Sequence, residues 1–156
     1  MNTFTLENPV FVIYAIAASL MVLKLMGQGW MTVTRMISSD AGLLNPEDLQ
    51  TGPANRNPRP SQLELNDFVE RSRRIHRNDL ENIPGFLAAG LLFVAVGPSV
   101  LLAAILMTAF VVARLLHTAA YVTQQRHEIR ATFYSVGSLV VIYMALHVLV
   151  VALFHL

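Results

Sequence analysis

The chain contains no cysteine. This absence excludes disulfides, thiolate metal sites and a nucleophilic protein thiol, so any sulfur chemistry must come from a substrate or a cofactor. Charged residues are also scarce, at 13% of the sequence, against about 25% in a typical soluble domain. The net charge is only +1, and the sequence has neither a polybasic tract nor a basic patch interleaved with aromatic residues. Composition therefore gives no indication of a nucleic-acid partner.

Several motifs of common active sites are missing as well. The sequence has no phosphate-binding glycine loop and no G-x-S-x-G elbow, which argues against nucleotide binding at such a loop and against the serine hydrolases built on that elbow. No group of His, Asp and Glu has the spacing of metal ligands, so we predict no metal site.

Long apolar segments make up much of the sequence. Hydrophobic residues make up 54% of the chain, and no Asp, Glu, Lys or Arg occurs at 8–23, 82–113 or 131–156. About 20 mostly apolar residues are enough for a helix to cross a bilayer. We therefore predict an all-α integral membrane protein, built as a four-helix bundle from a single domain of residues 1–156. The helices are expected at about 9–37, 65–96, 100–123 and 129–154, with a proline-rich loop at 38–64.

Arginine placement predicts the orientation of the bundle. Arginines are concentrated in the first and third connections and the adjoining helix ends, whereas the turn at Gly97 and both termini have none. Because basic residues favour the cytoplasmic side, both connections are predicted to be cytoplasmic. Residues 1–8 contain Glu7 but no basic residue, so the first apolar segment is interpreted as a retained helix rather than a cleaved signal. We favour a bacterial inner membrane, with the endoplasmic reticulum as the alternative.

A charged stripe leads into the second uncharged segment. Its members fall at i, i+3, i+4, i+7, i+8 and i+11, on one face of a helix. Such polar faces are costly in a bilayer and usually line a bundle interior or an aqueous cavity. Guanidinium groups bind carboxylates, and Glu81 could bind an ammonium group or pair with an arginine. A small ligand with two carboxylates and one amine would match this stripe, which comprises Glu70, Arg73, Arg74, Arg77, Asn78 and Glu81.

The alternative interpretation of this region is a solvated helix end held by intrahelical ion pairs. We favour that alternative for Arg71 and Asp79, which lie off the stripe. His76 lies beside the stripe and is either a ligand contact or an interfacial residue.

The third helix carries Arg114, His117 and Tyr121 at i, i+3 and i+7. This spacing places them on one face, and we interpret them as a second wall of the same pocket. Arg114 has an alternative role as a buried ion-pair partner. Lys24 in the first helix either pairs with an acid or reaches the membrane interface.

Arg130 opens the fourth helix. A cation at a helix N-terminus is unfavourable to the helix dipole, so helix stability does not explain its position. It is either an anchor on the cytoplasmic side or a residue that holds an anion in the pocket. Tyr134 follows one turn later on the same face.

The order and spacing of these segments resemble the membrane-associated proteins in eicosanoid and glutathione metabolism, the MAPEG family. The resemblance covers about residues 10–150 and is most similar to the branch of microsomal glutathione transferases and prostaglandin E synthases. The segments that carry it are Asn45-Pro46-Glu47-Asp48, Glu70-Arg71-x-x-Arg74-x-His76-x-Asn78-Asp79-x-Glu81-Asn82, Gly97-Pro98, Ala113-Arg114-x-x-His117-Thr118-x-Ala120-Tyr121 and Arg130-Ala131.

The resemblance implies a homotrimer of four-helix protomers that binds glutathione as co-substrate between neighbouring protomers. Arg130 corresponds to the family's catalytic arginine, which stabilises the glutathione thiolate. Tyr134 is added to the site because it shares the face of Arg130. The glutathione contacts implied by the resemblance are Arg35, Arg73, Arg74, His76, Arg77, Asn78, Glu81, His117 and Tyr121.

Two departures from the family bear on the activity. Ala131 stands where the prostaglandin synthase branch has a serine, and Leu49 stands where the mammalian transferase has a reactive cysteine. We therefore predict a detoxifying glutathione transferase that conjugates hydrophobic electrophiles arriving from the lipid, with peroxidase activity on lipid hydroperoxides. The alternatives are a glutathione-dependent isomerase similar to prostaglandin E synthase and a non-catalytic lipid-binding scaffold.

Overall fold

The computed structural model describes residues 3–156, and its long elements are four α-helices. No strand occurs within this range, so the predicted all-α class is confirmed. Two short 3₁₀ turns, Pro46–Leu49 and Pro60–Leu63, lie in the connection between the first two helices. The helices are α1 (Pro9–Ser39), α2 (Asp67–Ala95), α3 (Val100–Val122) and α4 (His127–Leu153).

Three of the helices, α1, α3 and α4, are long and apolar enough to cross a membrane. The helix α2 is of similar length, but its N-terminal half carries the charged stripe. This distribution follows directly from the sequence, because the stripe ends at Glu81 and only the remainder of α2 is uncharged.

The helix α4 begins at His127, two residues before the predicted start. Arg126 has extended backbone angles (φ −58°, ψ 160°) and occupies the N-cap position. Glu128 then lies in the first turn, where a carboxylate interacts favourably with the helix dipole. As a result His127 is a helical residue rather than part of the connection.

The turn between α2 and α3 depends on Gly97 and Ser99. Gly97 has a φ of +68°, a left-handed conformation that glycine adopts without steric cost. The Ser99 side chain accepts a hydrogen bond from the backbone N–H of Leu102 at 3.3 Å and caps α3.

The described residues form two compact units. The first contains the chain up to Leu25 together with Asn78–Leu156, and the second is Met26–Arg77. In the first unit α3 packs against α4, and the rings of Phe86 and Phe110 stack with their centroids 4.0 Å apart. Its fully buried apolar side chains are Met21, Ile83, Phe86, Phe93, Val94, Ala103, Met107, Phe110 and Met144.

Polar contacts order the loop region of the second unit. The buried side chain of Gln62 donates to the Asp40 carboxylate and accepts from Asn55 at 2.9 Å and from the backbone N–H of Arg59 at 2.9 Å. Elsewhere in the unit Ser72 Oγ accepts from Gln28 at 2.8 Å. Gln62 therefore gives the proline-rich connection an ordered path that proline positions alone do not predict.

A close approach in the first unit depends on the missing side chain of Gly90. The Tyr14 hydroxyl donates to the carbonyl oxygen of Leu87 at 2.8 Å. A Cβ atom at Gly90 would lie 2.9 Å from Cε2 of Tyr14. Helices in a bilayer associate through van der Waals packing and hydrogen bonds, and small residues allow that approach.

We expect Gly90→Ala to destabilise the fold by about 1–3 kcal/mol, because the Tyr14 ring must move and its hydrogen bond to Leu87 weakens. Thermal unfolding in detergent measures the effect. Gly27→Ala is the matched control, since no atom lies within 4 Å of its added methyl group and alanine is the better helix former. Equal stability of the two variants would contradict this account of the Tyr14 contact.

Candidate functional site

A buried charge cluster lies in the first unit and is centred on Asp79. Its carboxylate accepts from Lys24 Nζ at 2.5 Å and from Arg114 Nη2 at 2.7 Å. The side chains of Asp79 and Arg114 are fully buried, and that of Lys24 is 10% exposed. Charges removed from water must be paired in this way. Lys24 and Arg114 are both ion-pair partners of Asp79, which resolves the alternatives left open for these two residues. The solvated intrahelical pairing expected of Asp79 is wrong, because its side chain is fully buried and its partners come from α1 and α3.

Arg114 also connects the cluster to His117. Its Nη2 atom lies 3.4 Å from Nδ1 of His117, whose side chain is buried. The helix α4 leaves room for the guanidinium stem at Gly137, where an added Cβ would lie 3.5 Å from Cδ of Arg114.

A cavity of about 240 Å³ adjoins His117 in the same unit. Three helices contribute to it, α2 through its mid-region, α3 through its last two turns and α4 through its first two turns. Six of the residues predicted for the site meet here. The lining consists of Asn78, Glu81, His117, Tyr121, His127, Arg130, Ala131 and Tyr134.

His127 was missed as a lining residue by the sequence analysis. The prediction assigned it to the connection before the fourth helix, where it would have no defined face. Once α4 begins at His127, the cavity residues of this helix fall at i, i+3, i+4 and i+7, which is one helical face. The acidic residue at Glu128 was the available signal for the earlier start.

Arg130 is held in the cavity by an aromatic ring rather than by an acid. Its guanidinium carbon lies 4.6 Å from the ring centroid of Tyr121, a distance at which cation–π attraction operates. Its Nε atom is buried and has no hydrogen-bond partner within residues 3–156. None of the carboxylates in the described part of the chain lies at ion-pair distance from Arg130. A cation in this state attracts an anionic group.

The ring of His117 is at the centre of the aromatic part of the cavity. Its centroid lies 5.1 Å from that of Tyr121 and 6.3 Å from that of Tyr134. Glu81, by contrast, is exposed. The cavity therefore combines a cation, a carboxylate and aromatic walls in a small volume.

The other predicted glutathione contacts belong to the second unit. Arg35 is buried, donates to the carbonyl oxygen of Phe68 at 3.0 Å and lies over the Phe68 ring. Arg73 donates to the carboxylate of Glu70 and to the carbonyl oxygen of Gly42. In this unit both arginines therefore have protein acceptors.

Asp67 accepts hydrogen bonds from Arg71 and Arg74, each at 2.8 Å. These bonds lower the pKa of Asp67 below its ordinary value, because they favour the charged carboxylate. Arg77 is exposed, and Nδ1 of His76 is buried with no hydrogen-bond partner in residues 3–156. Ion pairs near the helix end, the alternative interpretation of the stripe, thus occur at Arg71, Arg73 and Arg74.

The fold and the cavity together define a class, a helical membrane protein with a candidate site for a small anionic ligand. Residues 6–150 match the sequence model of the MAPEG family. The chain therefore belongs to the MAPEG family, and the resemblance found in the sequence is confirmed. Membership of this membrane family and the three apolar helices also confirm the prediction of an integral membrane protein.

Individual relatives match almost the whole chain. Human microsomal glutathione S-transferase 1 is 35% identical over 147 residues, which cover 94% of each chain. The bovine protein of the same name is 35% identical over 144 residues, or 92% of each chain. Human prostaglandin E synthase is 31% identical over 160 residues, covering 99% of this chain and 98% of the synthase.

We expect Asp79→Asn to lower the free energy of unfolding by about 3–5 kcal/mol, because it leaves Lys24 and Arg114 buried without an anion. Chemical or thermal unfolding in detergent measures this loss. Asp67→Asn is the control, since its exposed carboxylate also accepts from two guanidinium groups, and we expect little change there. Similar losses for the two variants would show that burial of the Asp79 cluster does not matter for stability.

Proposed function

We propose that this chain is a membrane glutathione transferase that conjugates the thiolate of glutathione to hydrophobic electrophiles. The observation that carries the proposal is Arg130, a cation in the cavity that has no acid partner among the described residues. The relatives named as microsomal glutathione S-transferase 1 support the choice of ligand.

Glutathione has two carboxylates, one ammonium group and one thiol, and the cavity offers a partner for several of these. Arg130 would face the sulfur, Glu81 would bind the ammonium group, and Asn78 would bind a peptide group. The cavity volume of about 240 Å³ is below the roughly 300–1,000 Å³ of common ligand pockets. We propose that it takes the cysteinyl part of the tripeptide. The family resemblance supports further glutathione contacts, which we propose at Arg35, Arg73, Arg74, His76 and Arg77.

The catalytic role assigned to Arg130 is electrostatic. A free thiol has a pKa near 8.5, so only a few per cent is ionised at neutral pH. A desolvated guanidinium favours the thiolate, and each unit by which the thiol pKa falls corresponds to about 1.4 kcal/mol. The thiolate then attacks an electrophilic carbon and forms the C–S bond as a leaving group such as chloride departs. In the proposed peroxidase reaction it attacks an oxygen of the lipid hydroperoxide, the O–O bond breaks and the lipid leaves as its alcohol, and a second glutathione converts the resulting sulfenic acid to glutathione disulfide and water. The hydrophobic co-substrate would arrive from the bilayer and glutathione from the aqueous side.

A glutathione-dependent isomerase is the second candidate, supported by the similarity to prostaglandin E synthase over nearly the whole chain. Ala131 argues against it, because the residue lines the cavity with a methyl group and offers no hydroxyl. A lipid-binding scaffold without catalysis has no need of an unneutralised Arg130.

Assembly and location are further parts of the proposal. We propose a homotrimer in a bacterial inner membrane, with the first and third connections on the cytoplasmic side. The family resemblance supports the trimer, and the arginine distribution supports the orientation.

We expect Arg130→Ala to reduce conjugation of glutathione to 1-chloro-2,4-dinitrobenzene by about 10²-fold or more, because the thiolate loses its stabilising charge. Initial rates of the purified protein in detergent measure the effect. Arg126→Ala is the matched control, since Arg126 is an exposed cation one turn earlier that does not line the cavity.

Three results would contradict this assignment. Full activity in Arg130→Ala would remove Arg130 from the catalytic role. A wild-type protein that binds glutathione in calorimetry but consumes no electrophile would favour the isomerase, and one that binds no glutathione would favour the scaffold.

We expect Glu81→Gln to raise the KM for glutathione roughly tenfold while kcat changes less, because a charge-assisted hydrogen bond to the ammonium group is lost. Steady-state kinetics with varied glutathione separate the two constants. Glu128→Gln, an exposed carboxylate in the first turn of α4, controls for the change in net charge. An unchanged KM in Glu81→Gln would exclude Glu81 from the site.

A further inference from the structure

Four side chains of the first unit form a continuous polar chain from the middle of α1 to the cavity. Lys24 donates to Asp79, Arg114 donates to Asp79, and Arg114 also contacts His117. Only His117 among them lines the cavity. The chemistry of each group determines which atom donates and which accepts along this series of contacts. Only the ring of His117 presents the result to a molecule in the cavity.

In the contact between Arg114 and His117, only Arg114 can be the hydrogen-bond donor. A guanidinium group has N–H donors and no acceptor. Nη2 carries two hydrogens, of which one is donated to Asp79 Oδ1 at 2.7 Å and the other faces Nδ1 of His117 at 3.4 Å. Nδ1 must therefore be the acceptor and carry no proton. The proton of the neutral ring is then on Nε2.

The surrounding charges disfavour a second proton on this ring. Lys24 and Arg114 contribute two positive charges and Asp79 one negative charge, so the buried cluster already has a net charge of +1 before His117 is counted. A protonated His117 would add a further positive charge and would direct an N–H group at the N–H of Arg114. The groups that face the cavity with His117 are Glu81, His127, Arg130, Tyr121 and Tyr134.

Arg114 is itself held in one orientation. The two carboxylate oxygens of Asp79 have different partners, since Oδ2 accepts from Lys24 and Oδ1 from Arg114. The stem of Arg114 lies against the position of Gly137, where the Phe110 ring is also close. Neither Lys24, Asp79 nor Arg114 lines the cavity, so all three are positioning residues.

We propose that this cluster locks His117 as a neutral ring with its proton on Nε2, which makes His117 a hydrogen-bond donor to the ligand and not a base. His117 has no hydrogen-bond partner other than Arg114 among the described residues, so Nε2–H remains for the ligand. Its acceptor is an anionic atom, which under the proposed function is the thiolate sulfur or a carboxylate oxygen of glutathione. The proton of the thiol consequently leaves by a route other than His117.

The ring state is measured directly by ¹⁵N NMR of histidine-labelled protein in detergent, without glutathione. The chain has five histidines, and the signal lost in His117→Gln identifies the one of interest. We expect a proton-bearing Nε2 and a proton-free Nδ1 that do not change between about pH 6 and 8. A proton on Nδ1, a mixture of tautomers or a doubly protonated ring in this range would overturn the proposal.

Two variants test whether the cluster imposes this state. Arg114→Met removes the donor but leaves Lys24 and Asp79 as a balanced pair, and we expect the His117 signal to change to mixed tautomers. Lys24→Met leaves Arg114 and Asp79 as a balanced pair, and the Nε2–H form should persist. Retention of the locked state in Arg114→Met would show that Arg114 does not impose it.

Kinetics then test the donor role. We expect His117→Phe to raise the KM for glutathione about tenfold or more, because a hydrogen bond to a charged group is lost. His117→Gln carries an amide N–H near the position of Nε2 and should recover part of that loss, whereas His117→Glu carries only acceptors and should not. Equal affinity in the glutamine and glutamate variants would contradict a donor role. The NMR result is independent of catalysis, so an inactive wild-type protein with the locked ring would refute only the proposed function.

Discussion

The burial of the Asp79 carboxylate is the constraint on which the rest of the first unit depends. A lone anion at this position would be prohibitively costly, and it is matched by an ammonium group from α1 and a guanidinium group from α3. Three helices are thereby held at one point by directional bonds. In a bilayer such bonds act together with van der Waals packing, because lipid tails are as apolar as the side chains they replace and apolar burial alone does not drive helix association. The same bonds orient Arg114, and Arg114 orients His117.

The cavity and the buried cluster differ in the partner of their arginine. Arg114 is paired with a protein carboxylate, whereas Arg130 lies against the Tyr121 ring with no acid at ion-pair distance in the described chain. The first arrangement favours stability and the second leaves the positive charge for a ligand. Under the proposed function that ligand is glutathione, a choice supported by family membership and by the similarity to glutathione S-transferase 1. The proposed function thus rests on Arg130, which lacks the carboxylate partner that Arg114 of the preceding helix has.

The sequence predicted much of the fold because the apolar segments are long and uncharged, and the Gly97 turn divides the longest of them between α2 and α3. Helical spacing also predicted that Arg114, His117 and Tyr121 would share a face, and α3 has them together. The helix α4 begins two residues before its expected start, because Arg126 occupies the N-cap position without a side-chain cap hydrogen bond and therefore gives no strong sequence signal, and His127 was missed for that reason. The order in the proline-rich connection was also beyond prediction, because Gln62 acts there through several partners at once, including Asp40, which is 22 residues away in the chain.

The sequence by itself determined the four helices, the apolar character that suits a membrane and the set of polar residues available to a site. These are local properties, set by the period of a helix and the absence of charge over long segments. Only the tertiary structure decided which cation pairs with which anion. Lys24 and Asp79 are 55 residues apart in the chain, and Arg114 and Asp79 are 35 apart. Spacing within one helix carries no information on contacts between helices, so the acid-paired Arg114 and Arg130, which has no acid at ion-pair distance in the described chain, become distinguishable only once the helices are packed.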